Sequence, residues 1–428
     1  HTRLLYVTGV RRVLFRSKLK MLNSEKMVVS IQNQDLEHAN KYFEKALKND
    51  PEEILLELGA YLESIGFLPQ AKRLYDQIRP NYPEVAINLA QIVAEDGDIE
   101  QAFLYLDYIS EDSQEYVSAL LVMADLYDME GLTDVAREKL LLASKLSDDP
   151  LVTFGLAEMN LSLEHYQEAI EGYASLDNRE ILETTGVSTY QRIGKSYAIM
   201  GKFDAAIEFL EKAVDIEYDD LTVFELATIL YDQEEYQKAN LYFKQLDTIN
   251  PDFDGYEYIY GLSLREEHKS EEALRLVQQG LRKNSFDGQL LLLASQLSYE
   301  LHDVSSSESY LKQAEKVSEN QDEIVMRLSN LYLEEERFEE VLELDNDDLE
   351  NILAKWNIAK AHKALEMDDS VDYYQSLYND LKDNPEFLQD YAYILREFGY
   401  LDKAQEVGKA YLKLVPDDIE MSEWVNNI

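Results

Sequence analysis

Apolar residues along the chain fall again and again at the spacing of a helix that buries one face, as in Ala206, Leu210 and Ala213 at i, i+4 and i+7. No stretch alternates like a strand, and none is apolar for the length of a membrane span. A longer period lies over this short one. Ala39, Ala71, Ala102, Ala136, Ala169, Ala206, Ala239 and Ala273 follow one another at intervals of 32, 31, 34, 33, 37, 33 and 34 residues, the mark of an internal repeat. A companion series of small residues stands twelve positions ahead of the second-helix small position in its own copy: Gly59, Ala90, Ala124, Ala157, Gly194, Ala227, Gly261, Ser295, Ser329 and Ala392. Antiparallel helices approach closely only where one presents Gly, Ala or Ser beneath larger side chains of the other. The spacing therefore predicts an αα-hairpin, and since one hairpin cannot bury both its faces, neighbours must stack.

Carried along the chain, the frame predicts an all-α fold of about twelve hairpins from near residue 20 to Asp418. After Ala273 the second small position continues as Ser307, loosens to Val341 and returns as Ala404. Pro51, Pro83, Pro150, Pro251, Pro385 and Pro416 sit at or beside repeat boundaries, where a missing amide hydrogen costs nothing in a first turn. The eleventh copy is irregular. Its best alignment puts His362 at the first-helix small position and Tyr374, Tyr378 and Leu381 where Ala, Phe and Ala are expected, after a second helix cut short by Asp345, Asn346, Asp347 and Asp348. Larger residues there should splay the helices, so 345–372 is read as one joint and the lengthened turn 177–186 as another. Residues 21–418 are expected to form one elongated solenoid domain, with 419–428 as a C-terminal cap segment.

Residues 1–20 stand outside this pattern. They hold six basic residues and no acidic one, whereas the remainder holds 34 basic and 85 acidic residues, a balance of −51. The run Arg11–Ser17 resembles translated cloning sequence, so 1–20 is expected to be a non-native basic leader ahead of a start at Met21. The acidity of the rest repels phosphate backbones and anionic lipid, which argues against nucleic-acid and membrane partners. With no cysteine in 428 residues, disulfides, thiolate metal sites and cysteine nucleophiles are excluded, and a cytoplasmic location is expected.

Chemical motifs fail individually. Gly194, Lys195 and Ser196 end like a phosphate-binding loop, but Thr189 stands where its first glycine is needed. Asn250, Asp252, Asp254 and Gly255 begin like a calcium loop, yet Gly261 takes the place of the closing glutamate. The six histidines show no metal-binding spacing. No catalytic residue, cofactor or metal ligand is assigned, and the chain is expected not to be an enzyme.

The repeat frame itself carries a resemblance. Gly201, Phe203, Ala206, Leu210 and Ala213 in one copy, Ala39, Phe43, Ala46 and Pro51 in another, and Tyr190, Ile193, Gly194 and Tyr197 in a first helix resemble the tetratricopeptide repeat. Its pattern is W-x2-L-G-x2-Y followed by A-x3-F-x2-A and Pro. In composition and layout the chain is similar to long, acidic, cysteine-free cytosolic proteins of this class from low-GC Gram-positive bacteria. The resemblance implies a right-handed superhelical α-solenoid whose first helices line a concave groove. Mapped onto this chain, it implies an apolar stripe with Leu121, Phe154, Phe224, Tyr258 and Leu292, beside an acidic and tyrosine-bearing band with Asp125, Asp128, Glu158, Tyr231, Asp232, Glu266 and Tyr299. Such a groove suits protein or peptide segments that are both basic and apolar. The Lys, Asn and Arg clamp used by chaperone-binding members is missing, with only Gln191 and Lys195 as a faint echo. The expected function is a non-enzymatic scaffold or adaptor; the alternative is a peptide-responsive regulatory protein of the same repeat class.

Overall fold

The structure, a computed structural model, describes residues 21–427. The expectation for residues 1–20 lies outside the described residues. Among those described there are 26 helices and no strand. They fall into two compact units, one reaching to Thr222 and one beginning at Val223.

The first unit contains six helical hairpins: Asn23–Gln32 with Leu36–Asn49, Glu52–Ser64 with Leu68–Ile78, Val85–Glu95 with Ile99–Leu106, Tyr116–Met129 with Thr133–Leu146, Pro150–Ser162 with Tyr166–Ala174, and Thr189–Ile199 with Phe203–Ile216. Between the last two lies an additional helix, Asn178–Thr185. The seventh hairpin opens with Asp220–Asp232, which crosses the boundary, and Tyr236–Ile249. The second unit continues with Tyr256–Glu266 and Ser270–Lys283, Gly288–Glu300 and Val304–Ala314, Gln321–Glu334 and Phe338–Leu342, Ile352–Ala364 and Ser370–Leu381, and Pro385–Glu397 and Leu401–Leu414. A last helix, Ile419–Asn426, buries Met421 and Val425 against the twelfth hairpin. Within each unit the chain is an α-solenoid of helix-turn-helix repeats.

Every hairpin turns in the same way. A residue with positive φ stands seven positions after the first-helix contact residue, which is Met27 in the first hairpin, and five before the second-helix one, and the next residue donates its N–H to a carbonyl five back at 2.8–3.0 Å, as in Phe67 to Leu62. This closes the carbonyls left over at the end of the first helix. Glycine holds the left-handed position in five turns, including Gly201 with φ 72°. Gln34, Glu164, Glu234, His268, His302, Glu336 and Glu366 hold it in the other seven. Second helices then start on a side-chain cap in several copies, such as Asp98 accepting from the Gln101 N–H at 3.0 Å.

All ten first-helix small residues identified above are buried, and so are their second-helix partners. A Cβ added to Gly194 would lie 2.7 Å from Leu210 Cγ and 3.1 Å from the Ala206 carbonyl oxygen, so no larger residue fits without separating the helices. In the ninth hairpin the two small positions are Ser295 and Ser307, whose hydroxyls bond each other at 2.9 Å.

The eleventh hairpin corrects the alignment based on His362. Its left-handed residue is Glu366, which places Ala359 and Val371 at the two small positions. Both are buried, so the close contact is kept. His362 instead lies three residues on, buried, with Nδ1 2.9 Å from Asp369 Oδ1 and its ring stacked on Tyr373 at 4.0 Å. The preceding second helix, Phe338–Leu342, is only five residues long, and buried Leu349 packs in the same cluster as Val341. In the 177–186 segment the extra residues form the helix Asn178–Thr185; the Asn178 Oδ1 accepts from the hydroxyls of Ser188 and Thr189, and Gly186 ends the helix at φ 74°.

Two substitutions test this register. Ala206→Leu should overpack a site with no exposed surface and cost about 1–3 kcal/mol. Gly201→Ala meets no atom within 4 Å, so its cost, about 1–2 kcal/mol, should come from the left-handed backbone alone. Urea unfolding of both variants beside the parent measures these losses.

Candidate functional site

The first-helix residue three positions before the small one is half-buried in each copy from Leu56 to Met326. Leu121, Phe154, Phe224, Tyr258 and Leu292 thus give part of their surface to packing and keep part at the solvent-facing side. Phe154 meets Tyr173 at 6.2 Å, and Phe224 meets Phe243 and Phe253 at 6.3 and 5.3 Å.

The acidic band separates into carboxylates the chain uses itself and carboxylates it leaves to solvent. In the first unit Glu158 accepts from Tyr173 Oη at 2.5 Å and from Arg192 Nε at 2.9 Å. Arg192 belongs to the next hairpin, so the ion pair, about a quarter exposed on either side, ties neighbouring repeats together. Glu63 plays the same part with Tyr75 and Asn88. Burial, followed by the nearby carboxylate, pushes the Tyr75 and Tyr173 hydroxyls far up, so both remain donors.

In the second unit a ladder runs along consecutive hairpins. Arg265 Nε donates to Glu300 Oε1 at 2.7 Å, and Tyr299 Oη donates to Glu334 Oε2 at 2.6 Å. One step earlier, the Tyr231 hydroxyl is raised, first by burial and then by the charge of Glu266, with Asp232 and Tyr258 also close enough to act on it. Asp232 and Glu266 remain at the surface, Glu266 with Arg265 at 3.4 Å.

Asp125 differs from all of these. Its side chain reaches solvent, yet its carboxyl is raised above its ordinary value, first by loss of water around it and then by the charge of Asp128. Asp128 accepts the Thr133 hydroxyl at 2.8 Å. Among the described residues no basic side chain is paired with either carboxylate.

Three families match parts of the chain: "YpiA-like, tetratricopeptide repeats" over residues 128–181, "Tetratricopeptide repeat" over 187–220, and "YpiA-like, C-terminal tetratricopeptide repeats" over 353–418. Over these stretches the repeats are tetratricopeptide repeats. A relative of the same repeat type, the TPR repeat-containing protein YpiA of Bacillus subtilis (strain 168), is 26% identical over 395 residues, spanning 90% of this chain and 92% of the relative. Among solved structures, YrrB, "a TPR protein with an unusual peptide-binding site", is 16% identical with a TM-score of 0.38, over 47% of this chain and 99% of that one. Naa15/Naa10 bound to HypK-THB is 14% identical with a TM-score of 0.41, over 87% of this chain and 65% of that one.

With the eleventh tetratricopeptide repeat correctly aligned on Ala359, its groove positions become Trp356, Lys360 and Lys363. The alignment on His362 hid them. The signal that finds them is the asparagine cap Asn351, eight residues before Ala359, the same interval as from Asn384 to Ala392 in the next repeat.

The Glu158–Arg192 link generates a prediction about stability rather than ligand binding. A double-mutant cycle of Glu158→Gln and Arg192→Met should give a coupling on the order of 1 kcal/mol, measured by chemical denaturation. Coupling below about 0.3 kcal/mol would count against a structural link between these repeats.

Proposed function

We propose that this chain is a non-enzymatic cytoplasmic scaffold that holds extended or helical protein segments, basic and partly apolar, on the first-helix face of its tetratricopeptide repeats. The observation that carries the reading is Asp125 with Asp128. Two carboxylates stand one helical turn apart on a first helix with no basic partner among the described residues, and an arriving Lys or Arg would offset their mutual repulsion. Leu121 and Phe154 are half-buried on the same and the following first helix and offer apolar surface for the residues flanking that cation. In the second unit Phe224, Tyr258 and Leu292 supply the apolar part, and Tyr231, Asp232, Glu266 and Tyr299 the polar part. Glu158 is assigned mainly to holding Arg192, so it contributes less to ligand selection than its position suggests. No described helix is long and apolar enough to cross a membrane.

The test is titration of the full chain with blocked peptides that alternate lysine and leucine, with glutamate and leucine as the control. Asp125→Asn together with Asp128→Asn should slow association severalfold, on the order of threefold to tenfold, at low salt and make the salt dependence shallower than the parent's. Cation binding favours the ionised carboxylate, so affinity should fall as pH is lowered through the raised range of Asp125, and this pH effect should vanish in Asp125→Asn. Lysine and glutamate peptides binding equally, or a parent affinity indifferent to salt, would refute the reading.

A further inference from the structure

The eleventh and twelfth repeats enclose an open recess of about 290 Å³ whose wall includes Trp356, Lys360 and Lys363 from one first helix and Gln389, Asp390 and Tyr393 from the next. Its charges are unevenly committed. Lys363 Nζ is bonded to Asp390 Oδ1 at 2.6 Å, and Tyr374 donates to the other oxygen of the same carboxylate, so that pair is closed within the chain. Among the described residues, no carboxylate is paired with Lys360. Its ammonium lies 3.8 Å from the centre of the Trp356 ring and covers an indole that is only 5% exposed. In a chain with 85 acidic and 40 basic residues, a lysine resting on an aromatic face instead of a carboxylate is poised for an anion from outside. The Gln389 amide and the Tyr393 hydroxyl line the same space and can donate beside it. Tyr393 is held edge-on to Trp424 of the last helix at 5.0 Å, which fixes its position.

We propose that this recess binds one carboxylate side chain of a partner peptide together with an adjacent apolar side chain. The carboxylate draws Lys360 away from Trp356 and takes further bonds from Gln389 and Tyr393; the uncovered indole receives the apolar neighbour. One uncommitted cation suits a single negative charge, and exposed Glu386 at the rim repels a second. The site has the opposite sign preference to the Asp125 region and rests on different residues, so either reading can fail without the other.

The chain contains only two tryptophans, Trp356 and Trp424, and both are in or beside this recess, so intrinsic fluorescence reports on it. Trp424→Phe leaves Trp356 as the sole reporter. The probes are blocked five-residue peptides with leucine on both sides of a central glutamate, glutamine or lysine. In the Trp424→Phe chain the glutamate peptide should shift Trp356 emission saturably, and the glutamine peptide should bind about tenfold more weakly. Lys360→Met keeps an apolar stem over the indole while removing the charge, and should lose about tenfold for the glutamate peptide with an unchanged melting temperature. Lys360→Arg should retain most of the binding. Glutamate and glutamine peptides of equal affinity, preference for the lysine peptide, full binding by Lys360→Met, or no saturable shift at millimolar peptide would each overturn the proposal.

Discussion

Everything in this chain depends on two helices being able to touch at one point. That contact needs a small residue on at least one of the two helices, twelve positions from its counterpart, and it needs a turn of constant geometry to bring them together. The pair Gly194 and Ala206 shows the tolerance: a single added carbon would press into Leu210 and the Ala206 backbone. Because each hairpin is closed in this way, it presents the same two faces to its neighbours, and repeats can succeed one another without a central core. Stability is consequently assembled from local contacts and contacts with the next repeat.

The acidity of the protein acquires a structural meaning from this arrangement. Glu63, Glu158, Glu300, Glu334 and Asp390 each accept bonds from another helix, and the donors come from tyrosine, arginine, lysine and asparagine. Tyrosine suits the work because its ring fills the hairpin interior while its hydroxyl reaches the edge. The Asp390 link reverses the polarity of the Glu158 link, with lysine on the earlier repeat and carboxylate on the later. Carboxylates at such joints are building material, and those without a donor among the described residues, as at Asp125, have an obvious call on a partner.

The repeat period, the helical hairpins and the buried small positions were legible because Gly, Ala and Ser are selected at those sites by steric exclusion, which leaves a trace in single residues. The eleventh copy was hard to place because its turn carries Glu366 with no glycine to mark it, and because branched Val371 stands at the second small position with an aromatic residue, Tyr374, three residues on. That shift of three residues concealed Trp356 and Lys360. The groove was legible as a set of positions but not as a set of free groups. Whether Glu158 is available depends on Arg192, 34 residues away in the next hairpin, and no pattern within one repeat contains that information. Phe154 and Phe224 similarly show their divided role only when Tyr173, Phe243 and Phe253 are in place.

The left-handed turn residues are distributed unequally. In the first unit four of six turns use glycine, at Gly66, Gly97, Gly131 and Gly201; in the second, Gly399 is the exception after five consecutive turns built on Glu234, His268, His302, Glu336 and Glu366. A side chain at such a backbone conformation costs about 1–2 kcal/mol. In an array whose parts open locally, this unevenness makes a gradient of fraying: amide protons in hairpins seven to eleven should exchange with solvent through smaller openings than those near the glycine turns. The repeats of one chain, alike in outline, then differ in how long each stays closed.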